Sequence, residues 1–117
     1  MADGLMACTR CPRLAQHLAG RRGAYPDHHN YPVPPWGPPG SPVLVVGLAP
    51  GADGANRTGK PFVGDPSGDL LQGTLRDLGM LESVRITNAV KCLPPDNRPT
   101  AQEARTCAHL WLSDELR

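Results

Sequence analysis

Apolar residues are spread unevenly along this chain, and their spacing changes period from one stretch to the next. In residues 7–20, ACTRCPRLAQHLAG, Leu14 and Leu18 stand one turn apart after Pro12, which predicts a short helix with Gly20 as its stop. Residues 21–42 read as a long irregular connection, because YPVPPWGPPGSP holds too many prolines to donate ladder hydrogen bonds. Residues 43–47, VLVVG, show no polar alternation and predict a strand buried on both faces, as in a parallel sheet. Beyond a glycine-rich loop, Asp65 or Ser67 can cap a helix whose Leu71, Leu75 and Leu78 form one apolar stripe and whose Gly79 ends it. SVRITNAVKC predicts a second strand anchored by Ile86 and Val90, and TAQE, from Thr100 to Glu103, is a capping box heading a helix toward Trp111. This alternation predicts an α/β layered domain with a parallel sheet and right-handed crossovers, one domain over residues 1–117, although two strands make an incomplete sheet.

Composition narrows the chemistry. Fourteen prolines and thirteen glycines without a collagen-like period mean that much of the 117-residue chain is loop. A formal charge of +1 announces no nucleic-acid partner, since twelve basic residues nearly balance eleven acidic ones. The longest apolar run, PVLVVGLAP, is too short to cross a bilayer, and MADGLMACTRC lacks the pattern of a secretory signal, so a cytoplasmic address is expected. In that reducing compartment four cysteines point to metal ligation rather than disulfides.

Cys8 and Cys11 form a tight pair, while Cys92 and Cys107 are dispersed. Four thiolates so spaced satisfy either a zinc ion or a 4Fe-4S cluster, with the single tight pair leaning toward the cluster; four unrelated buried hydrophobes are the duller alternative. Ligation would tie the two ends of the sequence together.

GLAPGADGANRTGKPFVGD, residues 47–65, leaves the first strand with five glycines, two prolines and one aromatic. It matches neither the dinucleotide fingerprint nor a phosphate-binding Walker loop, so a nucleotide-cofactor binder is disfavoured. What remains is a bare pocket floor with Phe62 for stacking, Asn88 for amide readout and Asp65 as a carboxylate, the residue types that an extruded nucleobase needs. Singly each has a plainer reading: Phe62 as core, Asn88 as a turn cap, Asp65 as a helix cap.

The string YPVPPWGPPGSPVLVVGLAPGADGANRTGKPFVGDPSGDLL, followed by RITNAVKCLPPDNRPTAQEARTC, resembles the uracil-DNA glycosylase superfamily, and within it the family 5 (type B) iron-sulfur branch. The resemblance runs from Cys8 to Cys107. It implies a three-layer α/β/α sandwich around a four-stranded parallel sheet, with a 4Fe-4S cluster on Cys8, Cys11, Cys92 and Cys107. It also implies that Phe62 stacks on the flipped base, that Asn88 reads its edge and that Asp65 partners the attacking water. Family 4 members carry an acidic residue where this chain has Leu48, which points to family 5. The implied reaction is hydrolysis of the N-glycosidic bond of uracil or another deaminated base in DNA, with backbone N–H groups around Gly47 and Ala49 sharing the leaving base's charge. Arg57, Thr58, Lys60, Ser67, Asn97 and Arg98 are the candidates for phosphate contacts, and no protein partner is implied.

Family members continue beyond this length, and the histidine they place against the leaving base matches none of His17, His28, His29 or His109. The expectation is therefore either a fragment or a shortened relative, with little or no glycosylase activity of its own. The competing reading is a non-catalytic, metal-stapled DNA-binding or interaction module.

Overall fold

The computed structural model describes residues 4–116. Helix α1, Pro12–Ala24, opens with proline in its first turn and buries Leu14 and Leu18. It runs past Gly20, contrary to the stop expected there. Gly20 and Gly23 face open space, and a helical glycine costs only about 1 kcal/mol relative to alanine. The helix ends instead at Tyr25, whose extended φ of −132° is what a following proline, Pro26, imposes.

Residues 25–42 wrap the sheet without regular structure, but one of them does join the ladder. Trp36 forms an antiparallel bridge with Ile86, its N–H donating to Ile86 O at 3.0 Å and its carbonyl accepting from Ile86 N at 2.8 Å. The Trp36 indole Nε1 also donates to Pro61 O at 2.7 Å.

Strand β1, Val43–Gly47, pairs in parallel with β2, Val84–Asn88, in the register Val43 to Val84 through Gly47 to Asn88. Of the four strands the resemblance implies, the described residues hold these two. The expectation that β1 is buried on both faces is overturned: Val43 and Val46 are 39% and 44% exposed. Among the described residues β1 pairs only with β2, whereas β2 has β1 on one side and Trp36 on the other and buries Val84, Ile86 and Thr87.

The crossover between the strands carries α2, Ala55–Thr58, and α3, Pro66–Asp77. Asp65 caps α3, its Oδ1 accepting from Gly68 N at 2.9 Å. Leu75 is buried and Leu71 packs beside it, but Leu78 is exposed rather than part of the stripe. The reason is the helix end. Gly79, at a φ of 69°, donates to Arg76 O, and Met80 donates to Leu75 O at 2.8 Å. These two bonds form a Schellman motif that reverses the chain, so Met80 takes the place against Leu75 that a continuing helix would have given Leu78.

Helix α4, Ala101–Cys107, begins at the capping box: Glu103 N donates to Thr100 Oγ1 at 3.0 Å and Thr100 N to Glu103 Oε1 at 2.8 Å. It continues through a π-helical segment, Ala108–Leu112, into α5, Ser113–Glu115. One core cluster joins Leu14 and Leu18 of α1 to Val90, Cys92 and Leu93 beyond β2; another joins Leu75 to Val84 and Ile86. None of the described helices is long and apolar enough to cross a membrane.

Candidate active site

The end of β1 and the end of β2 are register partners, Gly47 opposite Asn88, so whatever follows each strand converges on the same edge. A cavity of about 270 Å³ opens there, lined by Leu48, Ala49, Pro50 and Gly51 after β1, Phe62, Asp65 and Ser67 before and within α3, Asn88 at the end of β2 and Asn97 beyond it. Phe62, Asp65 and Asn88, singled out from the sequence, thus share one space, with Ala49, Ser67 and Asn97 around them.

Glycine makes the space. A methyl group at Gly47 would lie 2.7 Å from Phe62 Cε2 and 2.8 Å from Cζ and would collide with Asn88 Oδ1. The ring and the carboxamide therefore meet over an atom that is absent. Gly54 does the same for Asp65, whose carboxylate a Cβ there would strike, and a Cβ at Gly51 would stand 3.2 Å from Asp65 Oδ2. With Oδ1 bound to the amide of Gly68, it is Oδ2 that stands nearest these glycines.

Phe62 is held in an unusual backbone state, φ 57°. For a bulky residue this left-handed conformation costs of order 1–3 kcal/mol and persists only where the surroundings impose it. Here they do: Gln72 Nε2 donates to Phe62 O at 3.2 Å, and Gly68 has no side chain to strike that carbonyl, which would lie 2.5 Å from its Cβ. Asp96 and Asn97 are also left-handed, at 56° and 58°, which a short polar side chain tolerates, and the turn brings Asn97 to the cavity.

The other phosphate candidates lie outside this lining. Arg57 spends its guanidinium inside the loop, Nε donating to Asp53 O at 2.8 Å and Nη2 to Gly64 O at 2.9 Å. The Thr58 hydroxyl does likewise, reaching Val63 O at 2.9 Å. Both brace the glycine-rich loop. Lys60 is exposed, its ammonium 5.7 Å from the Trp36 ring centroid. Arg98 is exposed, while the backbone amides of Asn97 and Arg98 donate to Pro94 O and Pro95 O.

A second cavity, about 20 Å³, has Lys91 and Cys92 in its wall. All four cysteines line it, among Leu5, Leu14, Leu110 and Trp111. Cys8 follows a short 3-10 turn, Leu5–Ala7; Cys11 caps α1; Cys92 follows β2; Cys107 ends α4. Burial pushes the Cys92 thiol up to about 12 and that of Cys107 up to about 11. Burial also raises Cys11, helped by Glu103. A soft, four-sulfur donor set in an apolar wall fits a Cys₄-ligated metal group. Among the described residues no set of three or more His, Cys, Asp or Glu side chains stands in metal-holding geometry, so the thiols share a cavity without being closed on a common centre.

Two charged residues that the sequence reading passed over organise this side. Arg13 grips Glu103 with both arms, Nε to Oε2 at 2.9 Å and Nη2 to Oε1 at 2.7 Å, and so ties α1, behind Cys11, to α4, which carries Cys107. The Arg13 hydrogen bond lowers the Glu103 carboxyl below the ordinary carboxylate range. Lys91 is fully buried, and burial lowers its ammonium from the usual lysine range against the opposing pull of Glu115. A lysine inside the apolar run AVKCL was the available signal.

Comparison with known proteins bears on both cavities. Residues 34–117 match the family model described as Uracil DNA glycosylase superfamily. The chain is 42% identical to the Type-5 uracil-DNA glycosylase of Thermus thermophilus, over 96% of this chain and 59% of that protein. It is 43% identical to the Type-5 uracil-DNA glycosylase of Pyrobaculum aerophilum, over 96% of this chain and 57% of that one. A Type-4 uracil-DNA glycosylase from Thermotoga maritima is 45% identical over 61% of this chain and 37% of its own length. The chain thus spans somewhat more than half the length of the two Type-5 relatives named here.

Proposed function

Because this chain belongs to the uracil DNA glycosylase superfamily, we propose that it serves DNA repair by hydrolysing the N-glycosidic bond of uracil or another deaminated base, releasing the base and leaving an abasic site. One observation supports this reading above the others: an aromatic ring, a carboxamide and a carboxylate, Phe62, Asn88 and Asp65, line one cavity floored by glycine.

In this reading the base leaves the duplex and its lost stacking is replaced by the Phe62 ring. The Asn88 carboxamide both donates and accepts, as the edge of a pyrimidine requires. The sugar gains oxocarbenium character as the bond breaks, and the Asp65 carboxylate stabilises that charge and orients the attacking water. Its engagement with the Gly68 amide fixes one oxygen and leaves the other for this work. Negative charge collecting on the departing base is shared by backbone N–H groups around Gly47 and Ala49. Lys60, Ser67, Asn97 and Arg98 contribute phosphate contacts, which carry affinity rather than base choice.

Cys8, Cys11, Cys92 and Cys107 would hold the metal group, a 4Fe-4S cluster in our assignment. When bound it supplies a structural cross-link between the two ends of the sequence. Such a site suits the reducing cytoplasm, the location we assign. Elemental analysis finding zinc and no iron would replace the cluster by a zinc ion.

The test uses a duplex oligonucleotide carrying one uracil or hypoxanthine. Slow abasic-site formation by the natural protein, in keeping with the little activity expected of this chain, and its loss in Asp65→Ala are expected. DNA binding without base release, equal in the two proteins, would replace the reading with that of a metal-stapled binding module.

A further inference from the structure

One residue in the lining of the thiol cavity also bonds a residue in the lining of the larger one: Lys91, which has no contact with water. Lys91 is the largest fully buried side chain of the described residues. Its Nζ donates to Thr87 Oγ1 at 2.5 Å, to Asn88 O at 2.6 Å and to Glu115 Oε1 at 2.7 Å. Three acceptors match the three protons of an ammonium. Thr87 Oγ1 also donates to Glu115 Oε1 at 2.6 Å, so the carboxylate, the hydroxyl and the ammonium close on one another. The backbone is anchored as well: Lys91 N donates to Cys107 Sγ at 3.2 Å, and Lys91 O accepts from Val33 N at 2.7 Å.

Stability does not explain this arrangement well. Each ion taken out of water costs several kcal/mol, and well-packed apolar substitutes for buried pairs are often neutral or stabilising. What the pair does supply is direction. Asn88 is the last residue of β2, and beyond it the ladder hydrogen bonds pass to Ala89 N on Gly47 O and Val90 N on Leu48 O. The Asn88–Ala89 peptide is thus held at both edges, its N–H by Gly47 O and its carbonyl by Lys91 Nζ. On that held backbone the Asn88 carboxamide stands over Gly47 beside the Phe62 ring.

We infer that Lys91, held by Glu115, is a positioning residue that aims the Asn88 carboxamide into the cavity for base readout. This inference rests on the base-release reading for its consequence, though not for its geometry.

Two measurements test it separately. The first is NMR of the Asn88 side-chain amide in the full chain, natural and Lys91→Met, a substitution that keeps much of the buried volume. We expect one ordered Nδ2 signal in the natural protein and an averaged or broadened one in Lys91→Met, both recorded well below their melting temperatures because the unpaired Glu115 carboxylate lowers the stability of the variant. An unchanged Asn88 signal in Lys91→Met would overturn the inference. The second is a double-mutant cycle on uracil release. Lys91→Met alone should lower release per folded molecule by about 10–100-fold, the usual cost of losing such a support, and should cost nothing further in an Asn88→Ala background. Full multiplication of the two losses would also overturn it, because a lysine that acts only by stabilising the fold affects both backgrounds alike. Should Lys91→Met fail to fold, Glu115→Gln takes its place in both assays, with the same two overturning results. If the natural protein releases no base, the proposed reaction falls while the NMR result still decides whether Lys91 aims Asn88.

Discussion

The two cavities are built by opposite means. The larger, about 270 Å³, exists because side chains are missing: Gly47, Gly51 and Gly54 clear the room into which Phe62, Asn88 and Asp65 reach. The smaller, about 20 Å³, exists because side chains are brought in, four thiols from four separate elements inside an apolar wall. A space made by omission is ruined by one added atom. A space made by convergence is held by whatever joins its walls, and in this chain the Arg13–Glu103 pair links the first turn of helix α1 to the first turn of α4. The first kind of site should therefore be sensitive in recognition and the second in folding.

The largest expected effect is on the convergent side. On the proposed metal assignment, Cys107→Ser should abolish stoichiometric metal binding and lower the unfolding temperature steeply, because the binding energy of a metal at cysteine ligands, on the order of 10 kcal/mol, is folding energy. Metal content and a melting curve check this together, and a variant that melts with the natural protein would erase the contrast.

A smaller effect of a different kind is expected on the other side. Gly47→Ala places a methyl group under 3 Å from the Phe62 ring and should cost about 1–3 kcal/mol of stability while base release falls by at least about tenfold. Gly73, inside α3 with nothing near its Cβ direction, is the control. Gly73→Ala should stabilise by about 0.5–1 kcal/mol and leave release unchanged. Urea unfolding and the uracil assay on both variants would show whether clearance, rather than glycine content, is what matters.

The smallest effect concerns acid. Arg13 lowers the Glu103 carboxyl in the folded chain, so the unfolded chain holds its proton more tightly. The stabilisation from this pair is present above the unfolded value, near 4.5, and is lost as the pH falls through the lower folded value. Glu103→Gln keeps the cap but removes the charge. It should flatten the acid limb of a stability-against-pH curve by about 0.2–1 kcal/mol, the ordinary worth of a partly exposed pair, and shift nothing at the larger cavity.

Much of this was readable in advance where a few neighbouring residues decide the outcome. The Asp65 cap, the Thr100–Glu103 box and the Gly79 turn lie within one helical turn of what they bind. Other features were not. VLVVG reads the same whether or not a layer covers it, so the exposure of Val43 and Val46 was invisible. Leu78 keeps helical spacing, yet Met80 takes its place because the turn folds back. Arg57 and Thr58 are polar and look available for phosphate until the loop's carbonyls claim them. The need for glycine at position 47 becomes explicit only once Phe62 and Asn88 stand over it.

By itself, then, the sequence determined where helices begin, which stretches extend, and which ring, amide, acid and thiols are present to do chemistry. The tertiary structure alone decided that three of those groups share one cavity, that four share another, and that a buried ammonium from the wall of the second bonds the backbone of Asn88 in the first. The reason is physical. Caps and turns are closed by groups a few bonds apart, whereas the cavities are closed by residues as distant as Cys8 and Cys107, whose meeting depends on the parallel register of β1 and β2 and on every contact that holds it.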